Sequence, residues 1–123
     1  MQHIRSKNTV PELLIMNGLK QRKIYFARHV NNIIGKPDIV FRRKRLIIFI
    51  DSDFWHCNPE LFIMPKTNKV YWKNKINGNV ERDKYVNKVL KRYGWKVLRF
   101  WESDIKNDPI KIVEKIVKVK NSI

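Results

Sequence analysis

Apolar and polar positions along the chain follow two periods, and the switches between them outline the elements. Leu13, Met16 and Leu19 recur at helical spacing after Thr9, which stands as N-cap with Glu12 three residues later, and this predicts a helix over Pro11–Lys20. Ile24–Val30 reads as an edge strand, and Asn31-Asn32 and Gly35-Lys36-Pro37 break the chain after it. Over Asp38–Arg42, Ile39 and Phe41 alternate with Val40, and Arg45–Asp51 is a nearly continuous apolar run, so both are predicted strands. Residues 57–68 contain Pro59 and Pro65 and read as loop. A long helix is predicted over Lys69–Tyr93, closed by Gly94, then a strand over Trp95–Trp101. Asp108-Pro109 opens a last helix over Ile110–Val119. The order α-β-β-β-α-β-α puts a crossover helix between the last two strands. The class is therefore α/β, with a mixed sheet flanked by helices.

Length adds that residues 1–123 form one domain with a single core. No apolar run approaches the roughly 18 residues of a membrane span, and MQHIRSKNTVPE has no signal-type apolar segment. The one cysteine, Cys57, cannot staple the fold and fits a reducing compartment. Charge changes the picture more. Lys and Arg number 27 against 11 acids, for a net charge of +16. Such a field draws polyanions, and the aromatics set among lysines at Tyr71-Trp72-Lys73 and Gly94-Trp95-Lys96 point to nucleic acid. A ribosomal-type protein or a lysine-rich surface inherited from an AT-rich genome would carry similar charge.

Four polar positions resist a purely structural reading. Asp38 opens a central strand, where it either serves a turn or holds a hard cation. Asp51 ends the adjacent strand at the same sheet edge, within reach of the same ion, and His56 comes next in DSDFWHCN with the titration range of a general base. His3 and His29 read as structural. Asp83 lies seven residues from both Ile76 and Leu90, so it points inward and needs a partner: His56, or Arg82 or a lysine. Glu12 fits a capping box. Acids and a histidine at one edge of a basic domain suggest a metal-dependent nuclease. One cysteine and scattered histidines show no zinc spacing.

The blocks IRSKNTVPE (4–12), GKPDIVF (35–41), IIFIDSDFWH (47–56), MPKTNKVYWKNKINGNVERD (64–83) and GWKVLRFWE (94–102) resemble the very-short-patch repair (Vsr) endonucleases, in the family's order and near its spacing. The resemblance implies a relative of the PD-(D/E)xK restriction nucleases that nicks DNA beside T:G mismatches with Mg²⁺. It implies Asp38 and the Ile50 carbonyl as metal ligands, with Asp51 as a further candidate. It also implies His56 as catalytic base, Asp83 as its partner, and Glu12 as an acid near the centre. Phe54, Trp55 and Trp72 match aromatics that wedge into the base stack. Arg5, Lys7, Lys66, Asn68 and Asn79, within the matched blocks, are expected DNA contacts.

The chain also departs from that family. Asp53, Asn58 and Ser103 stand where its best-known members use zinc ligands, so no structural zinc is expected, and the arm before Arg5 is short. The expected protein is a monomeric, bacterial, cytoplasmic and nucleoid-associated enzyme acting on double-stranded DNA, with no membrane association and no repair-protein partner named. Two rivals stay open: a related nuclease with another target, such as mobile-element or branched DNA, and a non-catalytic DNA-binding protein.

Overall fold

A computed structural model describes residues 9–53, 58 and 63–123. Helix α1 (Val10–Gln21) starts where Thr9 Oγ1 accepts the Glu12 amide and Pro11 fills the first turn. Its buried stripe of Glu12, Ile15, Met16 and Leu19 obeys the i, i+3, i+4, i+7 rule, so the helix carries one acid into the interior with its apolar residues. Strands β1 (Ala27–Arg28), β2 (Ile39–Phe41) and β3 (Leu46–Asp51) come next. Helix α2 (Lys69–Arg92) crosses to β4 (Lys96–Trp101), and α3 (Glu102–Asn107) and α4 (Pro109–Asn121) complete the chain.

The sheet order is β1-β2-β3-β4. The first two pairings are antiparallel, and β3 with β4 is parallel, in register from Leu46 opposite Lys96 to Asp51 opposite Trp101. The apolar run in β3 is continuous because both faces are covered. Leu46 and Ile48 join Ile15, Met16, Leu19, Phe100, Val113 and Ile116 beneath α1 and α4. Ile47 and Phe49 meet Val86 and Leu90 of α2 on the other face. By strand alternation Asp51 and Arg99 belong to the α2 face. The result is the single α/β domain with a mixed sheet and flanking helices expected for a restriction-endonuclease-like core.

Two expectations change in detail. The edge strand read over Ile24–Val30 contracts to Ala27–Arg28. Ile24 is bound to the end of α1 through Leu19 O, and His29 at φ 50° turns the chain out of the sheet. Helix α3 has no counterpart in the sequence reading, since Ile105 is its one buried residue and a single apolar position sets no period. The close of α2 is as read. Gly94 at φ 87° lets the Trp95 amide reach Leu90 O and its own amide reach Lys91 O, a Schellman pattern.

Candidate active site

The centre is built around Asp38. Gly35 (φ 84°) and Lys36 (φ 50°) fold the turn before β2, and a Cβ at Gly35 would stand 2.7 Å from Val86 Cγ1, so the turn can lie against α2 only as glycine. Asp38 is then pinned from three sides. Its amide donates to Ile48 O (3.2 Å), its carbonyl accepts from the His29 amide (3.0 Å), and its Oδ2 accepts from the Ile50 amide (2.7 Å). Burial pushes the carboxyl up to about 7, with the charges of Glu12 and Asp51 adding to the rise and the Ile50 hydrogen bond and Arg99 opposing it.

Glu12, 4% exposed, reaches His29 from the inward face of α1, with Oε1 and Nε2 2.8 Å apart. Side-chain donor atoms of Glu12, His29 and Asp38 all lie within 4.8 Å of one another. This donor set fits a divalent cation. A buried carboxylate, a half-buried one and a ring nitrogen converge, and a cation there would relieve the crowding of like charge that helps hold Asp38 high.

Beyond Asp38 on the α2 face stands Asp51, buried and bound by Arg99 Nη1 at 2.9 and 3.2 Å. The same nitrogen lies 3.7 Å from Asp83, while Arg99 Nε donates to Asn87 Oδ1 at 2.8 Å and the guanidinium rests 4.1 Å from the centre of the Phe49 ring. Asp83 does face inward, as its spacing predicts. Arg99 of β4 is one of its neighbours.

His56, Phe54, Trp55, Arg5 and Lys7 lie outside the described residues. Trp72 sits half-buried in the first turn of α2, edge-on to the exposed Tyr71 at 5.1 Å. Lys66 and Asn68 are exposed just ahead of that helix, and Asn79 is half-buried on it.

Comparison with known proteins bears directly on this arrangement. The family model described as DNA mismatch endonuclease Vsr matches residues 1–59. The type II nicking enzyme V.NaeI of Lentzea aerocolonigenes is 39% identical over 92% of this chain and 71% of its own length. V.HpaIIP of Haemophilus parainfluenzae is 38% identical over 93% and 82%. The chain belongs to the Vsr family. The DNA mismatch endonuclease Vsr of Escherichia coli is 34% identical over 83% of this chain and 66% of its own length. Membership makes the chain a DNA endonuclease. Among the described residues no helix is long and apolar enough to cross a membrane.

Within this Vsr-family chain, Asp53, Asn58 and Ser103 meet one another. Asp53 Oδ1 accepts from Asn58 Nδ2 (2.9 Å) and from Ser103 Oγ (2.8 Å), and the Asn58 amide donates to Asp53 O (2.8 Å). They form an oxygen-and-amide cluster joining the end of β3 to α3.

Two residues of the centre are not evident from sequence spacing. His29 reads there as structural. The signal that places it is its register, one step beyond the Arg28–Ile39 pair and so opposite Asp38. Arg99 carries no motif of its own. An arginine inside the apolar strand Val97–Phe100 is the mark of an inward acid waiting across the sheet.

Proposed function

We propose that this endonuclease nicks one strand of double-stranded DNA at or near T:G mismatches, with Mg²⁺ as the cofactor. The observation carrying the reading is the half-buried, desolvated Asp38 carboxylate, held against the Ile50 amide and beside Glu12 and Asp51. Asp38 and the Ile50 carbonyl would hold the cation, and Asp51, whose charge Arg99 already balances, would act on it through water. When bound, the cation supplies neutralisation of the charge that develops on the phosphate. His56 takes a proton from the attacking water, and Asp83 orients and supports its ring. The oxygen of the departing strand end leaves from the opposite side of the phosphorus. Glu12 keeps the cation side of the centre anionic. Phe54, Trp55 and Trp72 stack into the duplex, and Arg5, Lys7, Lys66, Asn68 and Asn79 contact its backbone. The absence of a structural zinc belongs to the same reading, because the Asp53–Asn58–Ser103 cluster offers no thiolate.

A second reading keeps the chemistry and changes the target. It is favoured by the relatives called type II nicking enzymes, whose names specify nicking and no mismatch. One assay separates the two. Supercoiled plasmid is nicked in Mg²⁺ under both. A duplex with a central T:G pair is cut in preference to its matched counterpart only under the first. An intact plasmid under all conditions would remove both and leave a DNA-binding protein.

A further inference from the structure

We infer that His29 is a nitrogen ligand of the divalent cation, so that Glu12, His29 and Asp38 form a mixed oxygen–nitrogen site that binds first-row transition ions such as Mn²⁺ more tightly than Mg²⁺. The inference deepens the proposed function and rests on its assignment of Asp38 to the metal. Three features of the fold lead to it.

The first is reach. Donors on one ion, each bonded at about 2.1–2.4 Å, stand at most roughly 4–5 Å apart. The Glu12, His29 and Asp38 donor atoms already lie within 4.8 Å of one another, so the cation needs no rearrangement of the backbone.

The second is construction. The three residues come from three elements: the inward stripe of α1, the exit of β1 and the turn before β2. His29 leaves β1 with φ 50°, in the left-handed region that histidine enters more readily than most side chains. Its amide is nevertheless fixed to Asp38 O at 3.0 Å. The backbone thus ties the two residues together while the turn directs the ring to α1. Glu12 and His29 side chains are only 5% and 14% exposed, so both are held in place before any ligand arrives.

The third is the chemistry of the donors. His29 Nε2 and Glu12 Oε1 are hydrogen-bonded at 2.8 Å. A carboxylate oxygen and an imidazole nitrogen this close can instead both face one cation, which would take the two atoms as ligands in place of their contact with each other. Mg²⁺ prefers oxygen ligands and keeps its waters, whereas first-row transition ions accept imidazole with affinity rising from Mn²⁺ along the series. A site that spends one of its three side-chain donors on nitrogen is therefore selective against Mg²⁺ relative to an all-oxygen site.

The test uses the full chain without DNA and Mn²⁺ alone as probe. Pulsed electron paramagnetic resonance reads directly bonded ¹⁴N, and calorimetric competition reads Mn²⁺ against Mg²⁺. Four proteins are compared: wild type, His29→Gln, His56→Gln and Asp38→Asn, with melting curves to confirm folding. The expected wild type binds one Mn²⁺ with an imidazole ¹⁴N coupling and prefers Mn²⁺ to Mg²⁺. His29→Gln loses the coupling, weakens Mn²⁺ by more than about 10-fold and leaves Mg²⁺ nearly unchanged. His56→Gln keeps the coupling. Mn²⁺ bound without ¹⁴N coupling in wild type, or a coupling that survives His29→Gln, overturns the role of His29 and leaves Asp38 as ligand intact. Mn²⁺ affinity unchanged in Asp38→Asn overturns the Asp38 assignment itself, and this inference falls with it.

Discussion

Arg99 holds Asp51 through one guanidinium nitrogen, 2.9 Å from Oδ1, in a pair whose acid is buried and whose arginine is 19% exposed. Asp51 is a buried acid whose charge is balanced by a residue 48 positions later in the chain. Removing the arginine would take away the cation that both Asp51 and Asp83 face. Arg99→Met is therefore expected to cost about 3–5 kcal/mol of stability, measured by urea unfolding. A loss below about 1 kcal/mol, the range of exposed ion pairs, would mean that the pair is solvated in solution.

Asp38 predicts a pH dependence. Its carboxyl holds a proton up to about pH 7 in the folded chain, against 3.8 for the ordinary group. Between these values the folded state carries more protons than the unfolded one, so this contribution to stability falls as pH rises from about 4 to about 7 and is level above. Its size is on the order of 4 kcal/mol. Asp38→Asn should then raise the melting temperature at pH 8, abolish cleavage in Mg²⁺ and leave DNA binding in place. Wild-type nicking by the variant would refute the metal role, and an unchanged melting temperature would refute the burial cost.

The Asp53 cluster should be metal-free. Elemental analysis of purified protein is expected to show no stoichiometric zinc, and Asp53→Ala should cost about 1–3 kcal/mol by removing the carboxylate to which Ser103 Oγ and Asn58 Nδ2 donate. Zinc at one atom per chain would contradict this directly.

DNA affinity should depend steeply on salt. With 27 basic residues, neutralising roughly 6–10 phosphates weakens binding roughly 10³–10⁵-fold between about 50 and 200 mM salt. A flat response in fluorescence titrations would argue against DNA as partner.

Trp72 separates stacking from packing. It is half-buried at the start of α2, against the exposed Tyr71. Trp72→Ala is expected to weaken DNA binding by about 1–3 kcal/mol while the melting temperature stays nearly constant. A core role would instead cost about 3–5 kcal/mol of stability. Paired melts and binding curves distinguish the two.

Features that obey a local rule are legible in the sequence. The α1 cap at Thr9, the β3 run, the α2 glycine stop and the inward turn of Asp83 each come from spacing within one element. Glu12 is ambiguous there because a capping acid and a buried acid occupy the same third position. Its place on the Ile15–Met16–Leu19 stripe resolves that, since a cap alone does not require 4% exposure. His29 and Arg99 are hidden for a different reason. Their roles arise from which residues face them across the sheet, and no single segment encodes strand register. The short β1 adds to this, because a strand of 2 residues has no alternation to show that His29 would sit opposite Asp38.

The parallel pairing of β3 with β4 has a kinetic consequence. Those strands can join only after α2 has been made and folded across the sheet, so the charged centre closes over a loop of about 50 residues (Asp51 to Trp101). Until then Asp51 and Asp83 lack Arg99, and the acids repel one another where they would need to converge. Docking of the last strand is therefore the step that brings Arg99 to Asp51 and Asp83 and completes the parallel half of the sheet.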